Sequence, residues 1–144
     1  MPTRTARTAW NGTLQEGSGQ VELSSSKVGT YEVSFPKRAA DDAGGTTSPE
    51  ELIAAAHSSC YAMSLSNEVA KAGGTPHALD ITADVTLGQV DGAPAITTIT
   101  LTVRGEVEGL DADGFQQAAQ AAKVGCPVSQ ALAAVPIKLE ASLA

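Results

Sequence analysis

A chain of 144 residues suits one domain, and at that length roughly 68–70% of the unfolded surface is buried on folding. Hydrophobic residues at 42% and charged residues at 17% exclude a disordered chain, while aromatics at 3% leave the core to aliphatic side chains and alanine. The net charge of −7 argues against nucleic acid as partner, because phosphates demand a basic face. No run of about 18 apolar residues exists, so no membrane span is expected. The first residues, MPTRTARTAWNG, have no apolar signal region, and the expected compartment is the cytoplasm.

The chain opens on strands. Residues 3–10 and 19–24 alternate polar and apolar, with Asn11-Gly12 as a turn signal between them, and Tyr31 to Phe35 reads as a third strand ended by Pro36. Residues 37–48 (KRAADDAGGTTS) read as a polar loop of a length that is often functional. A long helix follows between Thr47 and Gly74. Ser48 is its N-cap, Pro49 its first residue and Glu51 the partner in a capping box, with Gly73 and Gly74 as the stop. It is apolar or small on nearly every face, which predicts burial all round.

Residues 79–90 and 95–107 both alternate with period two and flank an Asp91-Gly92 turn, so they predict a long antiparallel hairpin. Asp111 caps a second helix over about 112–123, stopped by Gly125. Cys126 then takes the N-cap slot and Pro127 the first position of a short helix, VSQALA. Pro136 leads into a last strand, IKLEASL. The predicted order is βββ-α-ββ-αα-β, an α+β fold in a single domain over residues 1–144. No repeat, low-complexity tract or domain boundary interrupts it.

Only two cysteines are present, 66 positions apart, too few for a disulfide scaffold and without the C-x-x-C of a thioredoxin-type oxidoreductase. Two readings stay open for Cys60: a small hydrophobe in a buried helix, or a reactive thiol whose ionisation needs a cation brought from elsewhere. Arg38 is a candidate for that cation, and equally a solvated loop arginine. Cys126, at a helix N-terminus, sees free N–H groups that favour thiolate, although a cysteine filling a cap slot is the plainer account. His57 lacks metal-ligand spacing to anything nearby and reads as a packed helix histidine. His77 reads as solvated, and Glu50 and Glu51 as first-turn carboxylates. No metal or cofactor is expected.

The segments SPEELIAAAHSSCYAMSLS, ITADVTL and AAKVGCPVSQAL, in this order and spacing, closely resemble the OsmC/Ohr family and its OsmC branch in particular. The resemblance extends to AITTITLTV and PIKLEASL, and so covers essentially the whole chain as one OsmC-like domain. It implies a thiol peroxidase that reduces organic hydroperoxides, and hydrogen peroxide less well, in oxidative and osmotic stress defence. It also implies an intertwined homodimer with two long central helices wrapped by sheets. By the same resemblance Cys60 matches the peroxidatic cysteine, Cys126 the resolving cysteine, Glu50 the glutamate of the P-E motif, and Arg38 the arginine before it, with Lys37 as the neighbouring alternative. His57 recurs at this position without an assigned role.

This chemistry fits the residue types. Attack on a peroxide needs a thiolate and a stabilised leaving alkoxide, and an arginine held by a glutamate serves both needs. The resulting sulfenic acid condenses with the second cysteine, and an external dithiol reopens the disulfide. The rival readings are a redox sensor without turnover and a binder of small apolar ligands. On one continuous helix Glu50 and Cys60 lie about 15 Å apart along the axis and point about 80° apart. If both serve one site, the expectation is an obligate dimer in which Glu50 and Arg38 of one chain meet Cys60 and Cys126 of the other.

Overall fold

The computed structural model describes residues 1–144. In chain order the elements are β1 (Arg7–Asn11), β2 (Ser18–Glu22), β3 (Thr30–Val33), α1 (Phe35–Ala39), α2 (Pro49–Lys71), β4 (Thr75–Val90), β5 (Ala93–Glu108), α3 (Ala112–Gly125), α4 (Pro127–Ala131) and β6 (Ile137–Leu143). The architecture is α+β, with one helix more than the sequence announces. Residues 35–39, expected as the end of a strand and the start of a loop, form α1. Its cause is local: Ser34 is extended and accepts the Lys37 N–H, and Pro36 occupies the first turn, where no N–H is needed.

Two compact units result, Met1–Leu52 and Ile53–Ala144. In the first, β1, β2 and β3 form an antiparallel meander in the order β1-β2-β3, with Val21 opposite both Thr8 and Tyr31. This small sheet buries little apolar surface. Val21 is its only buried hydrophobic side chain, while Trp10, Leu14, Val28 and Tyr31 remain exposed.

The second unit holds the core. Its sheet has the order β4-β5-β6, with β4 and β5 antiparallel over 16 residues each and β6 parallel to β5. The β4–β5 turn is tight because Asp91 and Gly92 both adopt positive φ, at 52° and 79°. One face of β5 supplies Ile99, Leu101 and Val103, all buried, and α3 adds Phe115, Ala118, Ala119 and Ala122. From α2 come Tyr61, Leu65 and Val69, spaced four apart on one stripe with His57. Other faces of α2 do not follow the expectation of burial all round. Ala55, Ala56 and Ser59 are exposed and Met63 is 73% exposed, because the elements of one chain cover only one side of the helix.

The α2 helix is continuous for 23 residues. The Ser48 hydroxyl accepts the Glu51 N–H at 3.2 Å, the expected cap. At the other end Gly73 turns left-handed (φ 88°) and the Gly74 N–H returns to the Val69 carbonyl.

Gly105 on β5 is a close-approach glycine. A β-carbon there would lie 2.8 Å from the buried Phe115 ring and 3.2 Å from Leu79. Gly105→Ala should therefore cost about 1–3 kcal/mol by overpacking. In urea unfolding this appears as a lower midpoint with an unchanged slope, and an unchanged midpoint contradicts the packing described.

Candidate active site

Two side-chain pairs meet among the residues the sequence singled out, one in each unit. In the first unit Arg38 stands in the last turn of α1 and Glu50 in the first turn of α2. The guanidinium grips the carboxylate with a fork: Nη2 donates to Oε1 at 2.7 Å, and Nε donates to both oxygens at 3.1 Å. Glu50 is buried while a third of the Arg38 side chain stays open. Hydrogen bonding to Glu50 raises the already high guanidinium pKa, so Arg38 is a fixed cation with its remaining N–H groups free to face outward. Lys37 makes no ion pair and is exposed, which leaves Arg38 as the held cation.

In the second unit the two sulfurs meet. Cys60 lies on α2 next to buried Tyr61, and Cys126 links the end of α3 to the start of α4. Their Sγ atoms are 3.3 Å apart and both thiols are free. That separation is too long for a bond and short enough for one to form with little movement. Cys60 is half-buried and reachable, and Cys126 is fully buried.

Their ionisation differs in direction. Burial pushes the Cys60 thiol up, and the Val128 N–H only partly opposes it. Burial also acts against the Cys126 thiolate, but the Ser129 N–H, Cys60, the Ser129 hydroxyl and the Val128 N–H together outweigh it, so the Cys126 pKa is lowered. Cys126 makes no well-aligned capping bond to α4, and these donors act on it from close range. Among the groups of its own unit, Cys60 has no cation to favour its thiolate. Tyr61 is kept neutral by burial and donates to the Ala119 carbonyl at 2.8 Å, which anchors the turn that carries Cys60.

His57 is packed as expected, fully buried one turn before Cys60. Its Nε2 lies 2.7 Å from the Ser129 hydroxyl, whereas Nδ1 has no partner. Ser129 was not among the residues the sequence singled out. The signal for it is its place three residues after Cys126, where first-turn side chains of α4 come together. His77 is exposed and lies 3.0 Å from Glu108. No group of three or more His, Cys, Asp or Glu side chains converges as a metal site would require. No helix is long and apolar enough to cross a membrane.

The sequence model of the family described as OsmC-like protein matches residues 41–140. Peroxiredoxin OsmC of Escherichia coli K12 is 44% identical over 125 residues, covering 87% of this chain and 86% of that protein. Among solved structures, the organic hydroperoxide resistance protein OhrB of Bacillus subtilis superposes with a TM-score of 0.75 at 27% identity, covering 96% of this chain and 98% of its own. An organic hydroperoxide resistance protein from Elizabethkingia anophelis gives 0.76 at 25% identity, covering 100% and 98%.

Burial of His57 has a consequence for stability. Desolvation lowers its pKa, so the folded imidazole stays neutral where the unfolded one, titrating near 6.5, takes up a proton. The unfolded state then binds more protons, and stability falls as pH drops through and below about 6.5. Urea unfolding at a series of pH values should show this loss in the native sequence and a flatter profile in His57→Gln. Equal slopes in the two proteins contradict a neutral buried His57.

Proposed function

We propose a reaction for this chain on a settled premise: it belongs to the OsmC-like protein family. It is a peroxide-related redox enzyme of the peroxidase kind. The substrate is an organic hydroperoxide, with hydrogen peroxide a poorer one. The Cys60 thiolate attacks the terminal oxygen of ROOH, the O–O bond breaks, and the alkoxide leaves as ROH after taking a proton. Cys60 is now a sulfenic acid. The Cys126 thiolate attacks its sulfur, the S–O bond breaks, water departs, and a Cys60–Cys126 disulfide forms. An external dithiol, such as a lipoamide-type thiol, reduces it and is itself oxidised to a disulfide. The expected setting is the cytoplasm, where such thiols are kept reduced.

The observation that carries this reading is the sulfur pair: a reachable Cys60 3.3 Å from a buried Cys126. The accessible sulfur meets the peroxide and the hidden one can react only with its neighbour. The raised Cys60 pKa means that its thiolate needs a cation, and Arg38, aimed by Glu50, is the cation proposed. Beside Arg38, the side chains of Trp10, Leu14, Val33, Phe35 and Pro49 line an apolar pocket of about 140 Å³. Such a pocket suits the R group of an organic hydroperoxide and offers hydrogen peroxide nothing.

The working form is a homodimer. Met1–Leu52 leaves Trp10, Leu14 and Tyr31 exposed around a sheet with one buried hydrophobic side chain, and α2 leaves Ala55, Ala56 and Met63 uncovered. A second copy that lays its own α2 and small sheet against these faces would cover both. An unbroken α2, with Glu50 and Cys60 ten residues and about 15 Å apart along it, supports a site shared between two chains. Arg38 and Glu50 come from one chain, Cys60 and Cys126 from the other.

Single-turnover assays with an alkyl hydroperoxide test the roles. Cys60→Ser should consume none, and Cys126→Ser should react once, leave a sulfenic acid that a dimedone-type reagent traps, and turn over poorly with a dithiol. Equal loss of the first reaction in both variants overturns the assignment. Oxidation without turnover in the wild type would make the chain a sensor instead.

A further inference from the structure

The reaction above uses two sulfurs, Arg38 and Glu50, and leaves one buried titratable side chain unexplained. His57 is fully buried and Ser129 nearly so, at 4% exposure, yet they come from segments 72 residues apart and meet at 2.7 Å. The imidazole has one partnered nitrogen and one without a partner. A buried N–H without an acceptor is rarer and costlier than a buried lone pair without a donor, so the proton sits on Nε2 and Nδ1 keeps its lone pair. Nε2–H therefore donates to the Ser129 oxygen. A hydroxyl that accepts in this way has its own hydrogen left to give. Ser129 is the third residue after Cys126, in the first turn of the helix that Cys126 opens, and its hydroxyl and N–H both favour the charged form of that sulfur.

We propose that His57 is a positioning residue for the resolving sulfur: through Ser129 it holds a hydroxyl donor on Cys126, which presents Cys126 to an oxidised Cys60 as a thiolate. The inference rests on the peroxidase reading for the identity of the resolving step. It concerns one event. Cys126–S⁻ attacks the sulfur of Cys60–SOH, the S–S bond forms as the S–O bond breaks, and the departing hydroxide takes a proton to become water. Cys126 is oxidised and the Cys60 sulfur reduced in that exchange, so no other redox partner is required. The proton that Cys126 gives up beforehand goes to solvent, and beside Ser129 opens a cavity of about 350 Å³ that Ser129 lines with Lys123, Gln130 and Val135.

The surroundings make the hydroxyl matter. The groups able to titrate that face Cys126 are Cys60 and Tyr61 of α2 and, through Ser129, His57. The strands give only aliphatic side chains to this core, and α3 gives Phe115 and alanines. No cation of the unit faces the sulfur, so neutral donors are what favour its charged form.

The test uses Cys60→Ser protein, in which Cys126 is the only thiol, and follows its ionisation by the ultraviolet absorbance of the thiolate against pH. In that background Ser129→Ala and His57→Phe should each raise the midpoint by about one pH unit, a roughly tenfold loss of thiolate at a fixed pH below it. His57→Gln, whose amide N–H can replace Nε2–H, should stay near the parent. His57→Phe combined with Ser129→Ala should go no higher than Ser129→Ala alone, since the imidazole acts only through the hydroxyl. A parental midpoint in either single variant overturns the proposal, as do additive shifts in the double variant. Should His57→Phe not fold, Ser129→Ala, which removes one oxygen, decides alone. The titration contains no peroxide, so its outcome is separate from the peroxidase reading. Shifted midpoints in a protein that never consumes hydroperoxide refute the reaction and leave the donor chain standing. Unshifted midpoints in an active peroxidase do the reverse.

Discussion

The packing of one stripe of α2 governs the rest of the second unit. His57, Tyr61, Leu65 and Val69 follow one another at intervals of four and all lie at zero exposure. With the helix rotation fixed by these four contacts, Cys60, next to Tyr61, has one direction open to it, toward the α3–α4 junction. Tyr61 reinforces the arrangement by donating to the Ala119 carbonyl of α3, so the helix that carries one sulfur is tied to the helix that ends at the other. The 3.3 Å sulfur separation is thus a product of core packing rather than of any bond between the sulfurs. An S–S bond between them would then form and break without rebuilding the core.

Electrostatics then separates two chemically identical thiols. Donors from α4 and Ser129 favour charge on Cys126, which is hidden, while burial disfavours charge on Cys60, which is reachable. Charge is thus favoured on the sulfur that a peroxide cannot reach, so attack by Cys60 would call for a cation beside it. The Arg38–Glu50 fork is the cation proposed for that role, held by its carboxylate and needing no proton exchange to stay charged. Bringing it to Cys60 from a second chain would make activity depend on assembly.

Much of this was legible in the residues. The caps of α2 are local signals with local causes, and Ser48, Gly73 and Gly74 behave as their chemistry dictates. Period-two alternation located β4 and β5, although β4 starts at Thr75, before the alternation becomes visible, because strand pairing extends past Pro76 through an irregularity in register. The α1 helix was missed because five residues carry too little periodicity to outweigh the loop composition that follows, even though Ser34 and Pro36 are themselves start signals. Burial of α2 on one side only could not be read from an all-round apolar pattern, which records every surface a helix will cover, including surfaces outside its own chain. The two cysteines and the Arg38 and Glu50 types were recognisable from motifs. Their pairing distances, and the meeting of His57 with Ser129, depend on tertiary packing between segments far apart in sequence and leave no local trace.

The most direct measurement of the account is complementation between two inactive chains. Cys60→Ser and Glu50→Ala proteins are refolded together, the heterodimer is purified by differential tags, and hydroperoxide reduction with a dithiol is assayed. If the unbroken α2 helix forces sharing between chains, the heterodimer contains one intact site, which joins the Cys60 of one chain to the Glu50 of the other. Activity should then return to about half that of the wild-type dimer, from one site in two. A heterodimer as inactive as its parents contradicts the account and places all four groups of each site within a single chain.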